Sequence, residues 1–99
     1  MRLTDHQIET IKQATAEIFG PDAQVWLFGS RADDSRRGGD VDLMVETADT
    51  PANPAMLAAR LSARVSRSMY GRHVDVVVHA KGVPEQSIHK AARTQGTRL

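Results

Sequence analysis

Three aspartates are spaced in a way that could bind a metal ion. Asp40 and Asp42 flank one apolar residue, Val41, within a run that is typical of a β-strand. Because side chains alternate along a strand, both carboxylates point to the same face, about 7 Å apart. Such carboxylates repel each other unless a cation lies between them. The spacing favours a cation site, and the alternative is a set of polar residues on a solvent-facing strand.

The third aspartate, Asp75, lies in a later strand-like run, where Val74, Val76 and Val78 occupy the alternate positions. If the two strands are neighbours, Asp75 joins Asp40 and Asp42. Three carboxylates with open positions suit magnesium, which keeps several waters and takes further ligands from phosphates. Two such ions could align the attacking and departing oxygens of an in-line displacement.

A second group of residues favours phosphate binding. Gly29 ends an apolar strand-like run, and a glycine there lets the backbone approach a phosphate closely. If Ser30 begins a short helix, its hydroxyl and the free N–H groups of the helix point towards phosphate oxygens. Arg36 could bind phosphate or an acidic partner, and an arginine in a solvated loop is an equally good interpretation.

Hydrophobic periodicity and turn residues predict the elements that position these groups. The expected order is α-β-(α)-β-α-β-α, with helices over 5–19, 54–69 and 84–95 and strands over 24–28, 41–46 and 73–79. A short helix is possible at the start of the loop 30–39. This order indicates one domain over residues 1–99, of the α/β or α+β class. We expect a small mixed β-sheet with helices on one face.

Composition limits the classes of function. The 99 residues contain no cysteine, which excludes disulfides and thiolate metal sites. No apolar run approaches the roughly 20 residues of a membrane helix, and the N-terminus lacks a signal-peptide core. We therefore expect a cytoplasmic protein that does not contact membranes. A net charge of +1 argues against a general nucleic-acid binder. A domain of this size buries only a modest core, and a partner or homo-oligomerisation often covers its remaining apolar surface.

The motif formed by Phe28, Gly29 and Ser30, nine intervening residues, and then Asp40-Val41-Asp42-Leu43 resembles the signature of the DNA polymerase beta nucleotidyltransferase superfamily. The short chain and the isolated Asp75 resemble its minimal nucleotidyltransferase (MNT) branch. The specific part of the resemblance covers residues 27–43 and 74–78.

This resemblance implies a polymerase-beta-like fold and Mg²⁺-dependent transfer of a nucleotidyl group, with ATP as the expected substrate. Asp40 and Asp42 would bind the metal, Asp75 would be the third ligand or the base, and Gly29 and Ser30 would hold the triphosphate. Similar proteins are antitoxins paired with a helical HEPN-domain protein, in some cases transferring AMP to its tyrosine. Nucleic acid enters only as a possible acceptor.

One departure from the family pattern leaves an alternative open. Many minimal members have Arg-Gly where this chain has Asp33 and Asp34, and two more acids near a triphosphate are unfavourable unless they point outward or pair with arginine. The alternative function is a non-catalytic antitoxin that neutralises its partner by steric cover. We assign no role to the four histidines, and we interpret Glu46 as structural.

Overall fold

The computed structural model describes residues 3–28 and 41–99. Its elements follow in the order α1 (Asp5–Phe19), β1 (Gln24–Phe28), β2 (Val41–Thr47), α2 (Pro54–Ser68), β3 (Val74–Ala80), α3 (Ser87–Gln95) and β4 (Thr97–Arg98). None of the described helices has the length and apolar character that crossing a bilayer requires. The predicted short helix of the loop 30–39 lies outside the described residues.

The strands form one mixed sheet in the order β3-β2-β1-β4. β1 pairs antiparallel with β2 and with β4, whereas β2 and β3 are parallel. Parallel neighbours need a crossover, and α2 supplies it between β2 and β3. As a result, the first residues of β2 and β3 and the last residue of β1 meet at one end of the sheet.

The main core lies between one face of the sheet and helices α1 and α2. Val41, Leu43 and Val45 project from β2 to this face, as their alternation predicts, and all three are fully buried. The helices contribute one apolar stripe each, with the fully buried Ile11 on α1 and Leu61 on α2. Two helices packed on one sheet face confirm the predicted fold class.

Helix α3 packs on the opposite face of the sheet. Its buried Ala92 contacts a second cluster that contains Trp26, Phe28 and Met44. The expectation of helices on one face therefore describes α1 and α2 but not α3. The physical reason is that Trp26 and Phe28 project to the face opposite the main core, and α3 covers these two aromatic side chains.

The helix boundaries follow local signals. At α1, the Thr4 hydroxyl accepts from Gln7 N and the Gln7 side chain accepts from Thr4 N, which completes the predicted capping box. At α2, Asn53 is the N-cap residue, but its side chain forms no cap hydrogen bond. α2 is followed by Tyr70, whose φ of 60° is unusual for a bulky residue and whose side chain is fully exposed.

The structure also differs from the predicted strand and helix limits. β2 extends to Thr47 and β3 from Val74 to Ala80, while α3 begins at Ser87, three residues after the predicted start at Pro84. The two-residue β4 was not predicted at all. It consists of Thr97 and Arg98, a length that carries no periodic signal in the sequence.

Candidate functional site

Two of the predicted aspartates lie side by side in the sheet. Asp42 and Asp75 are register partners in the parallel β2–β3 pair. Register partners project to the same face, and neighbouring strands lie about 4.8 Å apart. We call these two residues the carboxylate pair. The sequence predicted that Asp75 could join the other aspartates only if the two strands were neighbours, and β2 and β3 are neighbours.

The carboxylate pair lies at the end of the sheet where β1 finishes. Phe28, the last residue of β1, is the register partner of Asp42. The chain thus leaves the described region beside one member of the pair and returns at Val41, next to Asp42. The remaining predicted site residues, Gly29, Ser30, Arg36 and Asp40, lie outside the described residues. Their assignments stay predictions from the sequence.

One histidine contacts the carboxylate pair. Nε2 of His73 lies 2.9 Å from Oδ1 of Asp75, and both side chains are more than half exposed. His73 precedes β3 by one residue and shares the strand face of Asp75, a signal visible in the i, i+2 spacing. The contact was not predicted from the sequence, because the four histidines lack the spacing typical of metal ligands.

Within residues 3–28 and 41–99, no group of three or more histidine, aspartate or glutamate side chains is arranged to hold a metal ion. The donor set of the pair nevertheless fits magnesium, since carboxylate oxygens are the hard ligands that this ion takes from proteins. Magnesium is commonly bound through one or two carboxylates, with water and substrate phosphates completing its shell. Asp42 and Asp75 meet that requirement.

Two surface pockets formed by described residues lie at the other end of the sheet. One is lined by residues of α1 and the start of β1, including Lys12 and Gln24. The second lies between the α1–β1 turn and the segment after β2, including Asp22 and Asp49. Neither contains Asp42 or Asp75. We place the candidate site at the carboxylate pair because chemistry, and not concavity alone, identifies it.

A buried polar cluster lies further along the same sheet face, between β2, β3 and α3. Glu46 is 6% exposed and His79 is 6% exposed, with His79 Nδ1 3.1 Å from Glu46 Oε2. Arg93 of α3 donates to Glu46 over 2.5 Å and to Glu85 over 2.8 Å. Its guanidinium also lies 5.0 Å from the centre of the Trp26 ring. The structural interpretation of Glu46 is therefore confirmed.

This cluster shifts the pKa of Glu46. Burial raises the pKa of this carboxyl, but the hydrogen bonds from Arg93 and His79 outweigh burial and lower the pKa below its ordinary value of 4.5. A lowered folded-state pKa means that the ionised form stabilises the fold. The contribution is complete above about pH 4.5 and disappears as the pH falls through the folded-state pKa.

A Glu46→Gln variant is expected to be less stable than the wild type by about 2 kcal/mol at pH 7, because Arg93 loses a buried charged acceptor. The deficit should shrink as the pH falls from about 4.5 through the lowered folded-state pKa, because the unfolded wild-type chain takes up the proton before the folded protein does. Urea unfolding at several pH values measures it. Glu85→Gln, which removes the more exposed acceptor of Arg93, is the control and should cost less. A pH-independent deficit would contradict this account.

A protein-family model and several solved structures match this chain and support the fold described above. A family model described as a nucleotidyltransferase domain matches residues 8–96. Among solved structures, one similar chain comes from a complex of a tri-AMPylated Shewanella oneidensis HEPN toxin with an MNT antitoxin. It is 20% identical with a TM-score of 0.65, and the alignment covers 97% of this chain and 71% of that one.

Two further solved structures are similar to the same degree. One is a toxin–antitoxin with AMP-PNP, at 21% identity and a TM-score of 0.65, covering 97% of this chain and 72% of that chain. The other is a MntA-HpeT toxin–antitoxin in which two aspartates, two positions apart, are each mutated to glutamate. It shows 20% identity and a TM-score of 0.64 over 97% of this chain and 71% of that one.

No significant match was found among curated proteins. The solved structures are less than 25% identical to this chain, so they support the fold alone. The family model supports membership of a family, because it matches residues 8–96 of the 99. This protein belongs to the nucleotidyltransferase domain family.

Proposed function

We propose that this protein transfers AMP from ATP, in the presence of Mg²⁺, to a hydroxyl group of a helical HEPN-type protein, and that it is the antitoxin of that pair. The observation that carries the proposal is the in-register carboxylate pair beside the end of β1. Two carboxylates on one sheet face, next to the point where the chain enters the Gly29-Ser30 segment, would supply the oxygen ligands that Mg²⁺ takes from a protein in addition to those of the triphosphate.

The proposal gives each predicted residue a role. Asp40 and Asp42 bind the metal, and Gly29 and Ser30, with Arg36, hold the triphosphate. Asp75 is either a third metal ligand or the base that accepts the proton of the incoming hydroxyl. Its contact with His73 suits both roles, because a histidine beside a carboxylate helps to orient it.

The reaction forms a bond between the acceptor oxygen and the α-phosphorus of ATP. The bond from that phosphorus to the bridging oxygen of the β-phosphate breaks, and pyrophosphate leaves. Bound Mg²⁺ would neutralise the charge that develops on the phosphate oxygens. The contribution of the protein is mostly positioning and charge neutralisation, so few side chains suffice.

The choice of nucleotide and partner rests on similar proteins. One similar structure contains AMP-PNP, and another contains a tri-AMPylated HEPN toxin together with an MNT antitoxin. These statements concern those proteins, and adenylyl transfer to a HEPN-type partner is our proposal for this chain.

Calorimetric titration of ATP into the purified protein, with and without Mg²⁺, tests the proposal. We expect binding that depends on Mg²⁺, and GTP, CTP and UTP under the same conditions report the nucleotide preference. A folded protein that binds none of the four triphosphates with Mg²⁺ present would overturn the nucleotide site.

The adjacent acids Asp33 and Asp34 favour a second function, neutralisation of the partner by steric cover without catalysis. The two functions separate when Asp42→Ala is co-expressed with the toxic partner. Loss of neutralisation with the complex still formed supports catalysis, whereas retained neutralisation supports steric cover.

A further inference from the structure

Strand β3 forms one edge of the sheet, and its hydrogen-bonding pattern defines which backbone groups face outward. Val41 N donates to His73 O, and Lys81 N donates to Thr47 O. β2 and β3 are parallel, so these two bonds and the register fix the direction of the other backbone groups of β3. The N–H and C=O groups of every odd-numbered residue from 73 to 81 point towards β2. The backbone groups of the even-numbered residues 74, 76, 78 and 80 therefore point away from the sheet.

Both ends of this outer edge are closed within the chain. The hydroxyl of Ser62, on α2, donates to Val74 O. At the other end, Val83 N donates to Ala80 O over 3.1 Å. Between these two caps, the N–H and C=O groups of Val76 and Val78 face outward, and no described strand lies beyond them. We call residues 76–78 the open edge.

Within the described part of the chain, residues 76–78 carry no charged side chain, proline or bulge that would prevent strand pairing. Edge strands are commonly blunted by charged side chains, proline or a bulge. Here three consecutive valines are partly exposed, and the strand continues without a bulge from Val74 to Ala80 in its register with β2. This edge can accept a further strand.

We propose that the open edge pairs with the same edge of a second copy of this chain, antiparallel, about a two-fold axis that passes beside Val77. The axis pairs Val76 with Val78 of the second copy and Val78 with Val76. Each is a pair of the hydrogen-bonded type, in which the two residues exchange both bonds, so four hydrogen bonds form. The next pair along would join Val74 to Ala80, where the internal caps already occupy the carbonyls.

The charges next to the open edge are complementary under this symmetry. The two-fold axis sets Lys81 of the second copy diagonally across from Asp75, a separation of about 7–8 Å that a long side chain spans. Asp75 and Lys81 are both exposed. The pairing therefore brings a cation from each copy towards the carboxylate pair of the other, where a triphosphate would also carry negative charge.

Helix α2 leaves room for the second copy. Ser62, which caps the edge at Val74, shows which side of α2 lies along β3. Of the four residues one turn away from Ser62 on the helix, Ala58, Ala59 and Ser66 have small side chains, and Val65 is fully buried in the main core. Small side chains at these three positions allow a neighbouring helix to approach closely, which favours pairing of the two edges.

Sedimentation velocity over a concentration series tests the proposal with matched variants. Val78→Pro removes an N–H that points away from the sheet, and proline is tolerated at such edge positions. Val78→Thr keeps both the N–H and the β-branched shape. We expect the wild type and Val78→Thr to dimerise, and Val78→Pro to remain monomeric with an unchanged circular dichroism spectrum.

Two further measurements keep the proposal falsifiable if Val78→Pro does not fold. Lys81→Glu should weaken the dimer about threefold to tenfold at low salt, because it sets a carboxylate near Asp75. Hydrogen exchange at the Val76 and Val78 amides should slow as the wild-type concentration rises. A wild type that is monomeric at about 100 μM, or a dimer without this protection, overturns the proposal.

Discussion

An Asp42→Asn variant is expected to bind ATP, with Mg²⁺ present, at least about 100-fold more weakly than the wild type. The amide keeps the size of the side chain but removes the charge that attracts the metal, and changes merely adjacent to metal ligands already cost about 10- to 100-fold. Asp42 is partly buried, with Phe28 and Asp75 as its register partners on the two neighbouring strands. Calorimetry with and without EDTA measures the change.

The matched control is Asp49→Asn. Asp49 is an exposed acid in the segment after β2, and its backbone carbonyl, not its side chain, accepts from Thr47. This variant removes the same charge far from the carboxylate pair and should leave ATP binding unchanged. Equal losses in the two variants would assign the effect to net charge and contradict the site.

Asp75→Asn separates the two roles left open for that residue. If Asp75 is a metal ligand, its replacement weakens Mg²⁺-dependent ATP binding as Asp42→Asn does. If Asp75 is the base, ATP binding persists while transfer to the acceptor is lost.

Gly96→Ala is expected to destabilise the protein by about 3 kcal/mol, because the position has no space for a methyl group. A Cβ atom at Gly96 would lie 2.4 Å from Ala92 O, 2.6 Å from Leu27 O and 2.9 Å from Phe28 Cβ. Two of these atoms belong to the backbone of α3 and β1, so relief requires α3 to move away from the sheet. Urea unfolding monitored by Trp26 fluorescence measures the loss.

Gly71→Ala is the control for the general cost of replacing a glycine. A Cβ atom at Gly71 meets nothing within 4 Å, but its φ of +81° is unfavourable for alanine. This variant should cost only about 1 kcal/mol, from backbone conformation alone. If the two variants were equally destabilised, the close approach of α3 to β1 would not be the cause at Gly96.

The Gly96 contact also connects the fold to the candidate site. Phe28, which would be displaced by the new methyl group, is the register partner of Asp42 and the last described residue before Gly29. We therefore expect a Gly96→Ala protein that still folds to show weaker Mg²⁺-dependent ATP binding in the same calorimetric experiment.

The sequence by itself determined the features that depend on neighbouring residues. Thr4 and Gln7 are three positions apart, and this spacing alone predicts the cap of α1. Alternation along β2 separates Asp42 from Val41 and Leu43, so the side of the strand that carries the carboxylate follows from periodicity. The Gly-Ser and Asp-x-Asp pattern identified the family, which the family model confirms.

The tertiary structure decided which distant segments meet. The predicted strands could pair in several orders, and the observed order β3-β2-β1-β4, with β2 and β3 parallel, makes Asp42 and Asp75 register partners. Glu46 and Arg93 are 47 positions apart, and their ion pair exists because α3 crosses the face that carries Trp26. Contacts of this kind depend on how whole helices and strands pack against each other. The hydrophobic periods of 2 residues in strands and 3.6 residues in helices do not specify that packing.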